Sequence, residues 1–440
     1  KFDYNKDGTS TQTKNTKKYD PDGKVQESTQ GKQSFDAQGH ETASTQRTDR
    51  ADGSYDTYNS KTEHNEDGSS TQTKDTKKYD PDGKVKESTQ GKQSFDAQGR
   101  ETASTERTDR ADGSYDTHDS KTEYNEDGSY TRTKDTKKYD PDGKVKESTS
   151  GKWSVDEQGR ETGSSEETKY ADGRSKSSNS ETQYNEDGSS STKREEESRA
   201  ADGSLEEKKV TKEKNDQDGR LTERVENVSD DSGESITGIK YDKQGREVSN
   251  YESKTSPDGA KKDSEAYTEY NADGTATQTR RENSDDADGT RTKGSTAVAQ
   301  LDNKGREVSS EGTTTYADGS KKEVKTSTEY NADGTATKES TTNNYDKDTK
   351  FTSRTDQKEE LDNQGRVTAS NSRTLSTDGS VKTSASTTKF NDDGSYAKST
   401  REESRDPTGK LTGYTSSGEQ FDTEGRLTES RVKENKYGLN

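Results

Sequence analysis

The sequence predicts an all-β protein made of tandem antiparallel β-hairpins. A turn closed by glycine recurs about every fifteen residues, as in Tyr184-Asn-Glu-Asp-Gly188, Tyr139-Asp-Pro-Asp-Gly143 and Phe95-Asp-Ala-Gln-Gly99. The ten to twelve residues between turns are rich in Thr, Ser, Lys and Glu and carry no apolar stripe of helical period. The turns also recur in sets of four, which sets a second, longer period.

The turn chemistry is specific. Asn/Asp-x-Asp-Gly suits a type I turn followed by a left-handed residue, the connection that joins strands through a G1 bulge. Asn or Asp at the first position is expected to cap the turn, and Pro21, Pro81 and Pro141 preset φ at the second. The glycines at 8, 23, 39 and 53 repeat at 68, 83, 99 and 113, with intervals of 15, 16, 14 and 15 residues, sixty in all. The cycle runs on to Gly425 with two departures: Gly233 to Gly245 spans only 12 residues, and Thr349 stands in a glycine slot. Gly245 belongs to the same turn class as Gly219, so two units are missing at the short interval.

Each intervening segment reads as one strand, and strand–turn–strand in sequence gives a meander. Apolar residues flank the turns: Tyr19, Tyr79 and Tyr139 before one, Val25, Val85 and Val145 after it, Phe35, Phe95 and Val155 before the next, Tyr55 and Tyr115 after another. They should pair across strands near the sheet margins, each pair contributing about 0.2–1 kcal/mol. Strand centres such as Ser70-Thr-Gln-Thr-Lys74 are polar on both faces. At about 4.8 Å per strand a single sheet would run for more than roughly 100 Å, and an elongated sheet, a spiral or a fibre are the geometries this allows.

Composition sets the problem that this architecture must solve. Only 17% of the residues are hydrophobic and 37% are charged, with 72 Lys and Arg against 91 Asp and Glu, a net charge of −19. Such a chain cannot offset its ordering entropy with a conventional core. Order then rests on dense backbone hydrogen bonding and on contacts between repeats or between chains. Residues 1–440 are read as one continuous array, near-identical over 1–150 and divergent over 151–440, and as a piece of a longer or processed chain. With no Cys there is no disulfide or thiolate site, and no apolar run is long enough for a membrane span. The acidic balance disfavours nucleic acid as a partner.

The segments Phe421-Asp-Thr-Glu-Gly-Arg-Leu-Thr428, Tyr241-Asp-Lys-Gln-Gly-Arg-Glu-Val248, Leu361-Asp-Asn-Gln-Gly-Arg-Val-Thr368 and Asp218-Gly-Arg-Leu-Thr222 resemble the YD repeats of RHS-type and teneurin proteins. The resemblance implies a secreted or surface-exposed β-hairpin array. In RHS proteins that array is a shell around a toxin. Most units here lack the family's second aromatic and have far more polar strands, so the hairpin and the extracellular setting carry over and the cargo role does not.

Candidate chemistry is sparse. Asp3-Tyr-Asn5-Lys-Asp7-Gly8 matches the opening of an EF-hand calcium loop, but Lys14 stands where the bidentate Glu belongs. Ca²⁺ at Asp-rich turns is the one metal expectation, and a capped hairpin turn explains the same residues. His40, His64 and His118 replace Arg100, Tyr124 and Tyr58 of sister units, which points to surface positions. No carboxylate pair is set apart by an apolar pocket, and no P-loop or nucleophile elbow is present. No catalytic, cofactor or metal residue is therefore assigned. Trp153 replaces Gln33 and Gln93 and is expected to form a packing patch between neighbouring layers. Asn227-Val-Ser229 is the single N-glycosylation sequon.

Three functions follow as expectations. The first is a non-enzymatic structural protein, an extracellular or cell-surface fibre or stalk that associates with itself. The second is a multivalent adhesin for glycans or other surface proteins, marked by an exposed residue recurring at sixty-residue spacing; Tyr55 and Tyr115 begin such a series and Ser175 breaks it. The third is an RHS-like shell segment of a toxin-delivery protein.

Overall fold

Thirty β-strands and no helix carry the described part of the chain, residues 1–436 of this computed structural model. They fall into two units, Lys1–Arg220 with Val228–Asp231, and Leu221–Asn227 with the residues from Ser232 onward. The first unit opens with β1 (Phe2–Tyr4), β2 (Ser10–Tyr19), β3 (Val25–Phe35), β4 (Glu41–Arg50) and β5 (Tyr55–His64). It continues with β6 (Ser70–Tyr79), β7 (Val85–Phe95), β8 (Glu101–Arg110) and β9 (Tyr115–Tyr124). Each strand pairs antiparallel with the strand before and the strand after it. The second unit repeats this meander from the strand Gly233–Tyr241 to the strand Leu427–Lys436.

In a meander, successive turns alternate between the two margins of the sheet. The turns of a set may be numbered by their glycines: first (Gly8), second (Gly23), third (Gly39) and fourth (Gly53). First and third turns share one margin; second and fourth share the other.

The unequal intervals have a structural cause. Beside the second and third turns the register shifts: Lys18 faces Glu27 but Tyr19 faces Val25, and Ser34 faces Ala43 but Phe35 faces Glu41. The strand between those turns, β3, holds eleven residues where its neighbours hold ten. The bulged residues are put to use, since a bulge frees backbone groups from the ladder. The Gln26 carbonyl accepts from the Ala51 N–H at 3.0 Å, and the Thr42 hydroxyl donates to the Ser34 carbonyl at 3.2 Å. Gly233, in the short interval, is a different turn: its φ is 121°, and a Cβ there would lie 2.0 Å from the Thr255 carbonyl oxygen.

There is no core in the usual sense. The buried apolar side chains are three alanines, Ala276, Ala299 and Ala336, and no large side chain is fully buried among the described residues. Hydroxyl pairs span the strands instead: Thr29 with Thr48 at 3.1 Å, Thr89 with Thr108 at 3.0 Å, Thr149 with Thr168 at 2.8 Å, Thr355 with Thr374 at 2.8 Å. The aromatic residues beside the turns do pair across strands. Tyr55 stacks on Tyr79 with ring centroids 4.3 Å apart, and Tyr115 stacks on Tyr139 at the same distance. Stacked pairs of this kind contribute about 0.5–1.5 kcal/mol each beyond their area.

Candidate functional site

The ordered chemistry of the chain is concentrated in its turns. In the second turn the Asp80 carboxylate accepts from the Lys84 N–H at 2.8 Å. In the third, Asp96 accepts from the N–H groups of Gln98 and Arg100 at 3.0 and 2.9 Å and pairs with the Arg100 guanidinium at 2.7 Å. First and fourth turns are capped from the third position, not the first. Asp67 accepts from the Ser69 N–H at 2.9 Å, while the first residue, Asn65, donates its side-chain N–H to the Ser69 hydroxyl at 2.8 Å. Asp112 likewise accepts from the N–H and hydroxyl of Ser114. The expectation that the first residue always caps thus holds for Asp and is corrected for Asn, whose amide takes the donor's role. Such donors hold Asp67 and Asp362 below the ordinary carboxylate range: the Ser69 hydroxyl first and then its N–H for Asp67, the Arg366 N–H first for Asp362. Asp286 differs, pushed up chiefly by the bonded Asp288 carboxyl.

Neighbouring turns on one margin touch. A Cβ built on Gly68, in a first turn, would lie 3.3 Å from the Ala97 Cβ of the next third turn; one on Gly113 would lie 3.4 Å from Pro141. The glycines are required twice over, for φ and for this approach. The remaining gap on each margin is closed differently. Between second and fourth turns it is closed by a backbone bond, Ala111 N–H to the Lys86 carbonyl at 2.9 Å, repeated at Ala171 and Lys146.

Between third and first turns it is closed by a clamp. The β8–β9 ladder stops at Ala103 opposite Lys121, short of both strand ends. Beyond it the Arg100 guanidinium lies 4.1 Å over the Tyr124 ring, whose hydroxyl donates to the Glu101 carbonyl at 3.3 Å. The same arrangement recurs as Arg160 on Tyr184, Arg246 on Tyr270 and Arg306 on Tyr330, and Arg366 lies over Phe390 without the hydroxyl bond, all at 4.0–4.1 Å. In the first set both members change together: the His40 and His64 rings meet at 4.9 Å, tilted by 36°, with His40 on Asp36 at 3.1 Å and the His64 ring 3.3 Å from the Glu41 carbonyl. Arg220 turns instead to Asp218, at 2.8 Å.

No protein-family model matches the chain, and no curated protein matches it. Among solved structures, it is similar to TcdB2–TccC3, an RHS/YD-repeat toxin complex, at 9% identity and a TM-score of 0.10, over 96% of this chain and 36% of that one. It is also similar to a porin-like protein from Bacteroides uniformis, at 8% identity and a TM-score of 0.16, over 60% of this chain and 96% of that one. The chain therefore spans about a third of the length of the first of these. Scores this low carry no functional argument.

The other residues singled out by sequence fall apart in space. Asp3 pairs with Lys1 at 3.0 Å, and Asp7 is committed to the N–H and hydroxyl of Thr9. Among the described residues no three His, Asp or Glu side chains converge as a metal site. His118 contacts the Thr136 hydroxyl at 3.2 Å. Trp153 packs within its own strand, Val145–Val155: a Cβ on Gly151 would lie 2.3 Å from the indole, so the expected patch between layers is a ring covering a glycine two residues away. Asn227 donates to Glu234 at 2.8 Å. Sequence reasoning missed the clamp. Its signal was present in the joint replacement of Arg and Tyr by His40 and His64 at the same spacing.

Proposed function

We propose that this chain is a non-enzymatic structural repeat that serves as an extracellular or cell-surface fibre or stalk and associates with further copies of itself. One observation carries the reading. The turn contacts are local, as in Gly68 on Ala97, Arg100 on Tyr124 and Gly113 on Pro141, each joining a turn to the next one on its margin, and most of them recur along the array without a shared core. Stability in such an array is close to a sum of local terms, so sets can be added or lost without redesign. That suits a spacer whose length is its working property. The exposed Lys/Glu and Arg/Asp pairs along the strands suit solubility and discourage face-to-face aggregation, though each is worth little singly.

The test is small-angle scattering with negative-stain imaging of the purified chain, joined to surface labelling of intact cells. The proposal expects rod-like particles and labelling without lysis. Compact spherical particles, or labelling only after lysis, would overturn it.

A further inference from the structure

Two of the chain's three histidines stand in one clamp. Every other third turn carries arginine after its glycine, from Arg100 to Arg426, and the other first turns carry Tyr or Phe four residues before theirs. Only in the first set are both positions exchanged, and both for imidazole, His40 and His64. His40 lies just before β4 and His64 ends β5, beyond the point where their ladder stops at Ala43 opposite Lys61. Both rings are exposed.

The outer partners fix the proton on each ring. His40 Nδ1 lies 3.1 Å from the Asp36 carboxylate, and His64 Nε2 lies 3.3 Å from the Glu41 carbonyl. A carboxylate and a carbonyl only accept, so the two contacting nitrogens carry the hydrogens. His40 Nε2 and His64 Nδ1 therefore keep their lone pairs in the neutral rings. An imidazole whose far N–H is held by a carboxylate or a backbone carbonyl is the usual form of a metal-binding histidine. The separation fits as well. A metal ion bonded to one nitrogen of each ring at about 2.0–2.1 Å lies about 3.2 Å from each ring centre. With an angle at the metal between square and tetrahedral, the two ring centres then stand roughly 4.5–5.2 Å apart. The His40 and His64 centroids are 4.9 Å apart.

We propose that His40 Nε2 and His64 Nδ1 bind one divalent transition-metal ion, with water in its remaining positions. Zn²⁺ and Cu²⁺ suit imidazole nitrogen, whereas Ca²⁺ and Mg²⁺ take oxygen ligands. The ion joins the ends of β4 and β5 at the place where sister sets lay a guanidinium over a ring. The Asp36 carboxylate behind His40 makes that ring a stronger donor. Two protein ligands give an open, exchangeable site, unlike the closed four-ligand cage of a structural zinc. His118 is the internal control: its ring meets the Thr136 hydroxyl at 3.2 Å and no second imidazole.

The test titrates the full chain with Zn²⁺, Cu²⁺ and Ca²⁺ by calorimetry in physiological salt. Excess Mg²⁺ is present to occupy the exposed carboxylates. His40→Gln, His64→Gln and His118→Gln are compared with the parent chain, and His40→Arg/His64→Tyr supplies a variant with the clamp of the sister sets and no imidazole pair. Melting curves check that each remains folded. Expected are one equivalent of Zn²⁺ or Cu²⁺, Cu²⁺ the tighter, and no such binding of Ca²⁺. His40→Gln and His64→Gln should each weaken binding at least about tenfold, because two linked ligands act through their effective concentration. His40→Arg/His64→Tyr should abolish it, and His118→Gln should leave it unchanged. The bound ion should slow hydrogen exchange in β4 and β5 and not at Lys261–Tyr270. The inference is overturned if neither ion binds more tightly than Ca²⁺, if either single variant in the pair binds as the parent does, or if His118→Gln weakens binding as much. None of these outcomes depends on particle shape or on cell-surface labelling, so the inference and the fibre reading fail separately.

Discussion

The guanidinium of Arg100 lies 4.1 Å over the ring of Tyr124, at the end of a hairpin whose backbone ladder has already stopped. The pair joins two strand ends that the ladder leaves unpaired. Arg100→Ala and Tyr124→Ala, combined in a double-mutant cycle, should show a favourable coupling of about 0.5–1 kcal/mol, the range for a cation over an aromatic face at an exposed site. Urea unfolding followed by circular dichroism measures it. Strict additivity would mean that the stacking is incidental.

The first set offers the reverse experiment. His40→Arg with His64→Tyr rebuilds the clamp of the sister sets at a position where two tilted imidazoles now meet. Together the substitutions should raise stability by more than the two singles combined, by about 0.5 kcal/mol, and each alone should be near neutral or worse. If the pair gains nothing over the singles, the joint replacement in sequence has no clamp meaning.

Backbone conformation gives a third prediction. Thr349 holds φ at 60° in a slot where other sets have glycine. A β-branched residue is strained there, so Thr349→Gly should stabilise by about 1 kcal/mol. Gly68→Ala should cost more than Gly83→Ala, because both leave the left-handed region to an alanine but only at Gly68 does the new methyl press on Ala97. Thermal melts of the three variants decide the order.

Acid should undo the turns. The capping carboxylates of Asp67, Asp127 and Asp362 sit below their ordinary range in the folded chain, held first by the Ser69 and Ser129 hydroxyls and the Arg366 N–H. Groups depressed by folding contribute stability that is complete above the unfolded value, about pH 4, and is lost as pH falls through the lower folded value. Urea midpoints should be flat from pH 7 to about pH 5 and fall below pH 4. The Asp286 and Asp288 turn should be less acid-sensitive at Asp286, whose carboxyl is already raised by its neighbour. A midpoint unchanged at pH 3 would show that the caps contribute nothing.

Much of the fold was legible because its determinants are local. A turn such as Asp80-Pro-Asp-Gly83 needs only its own residues, and ten polar residues between two such turns leave little alternative to a strand. The flanking aromatics announced the Tyr55–Tyr79 stack for the same reason. What escaped depends on register. A bulge beside Tyr19 leaves no composition signal, and it decides which carbonyl meets Ala51. Arg100 and Tyr124 stand 24 positions apart and meet only because β8 and β9 run antiparallel between them.

The claim that the sheet is held at its margins rather than across its faces is tested most directly by hydrogen exchange on two variants of one set. Gly68→Ala/Arg100→Ala/Tyr124→Ala removes turn contacts, and Thr89→Val/Ser104→Ala/Thr108→Val removes face hydroxyl pairs while keeping strand-forming residues. The account predicts faster exchange across β7 to β9 in the margin variant, with protection at Lys261–Tyr270 unchanged, and near-native exchange in the face variant. Equal or greater loss of protection in the face variant would contradict it.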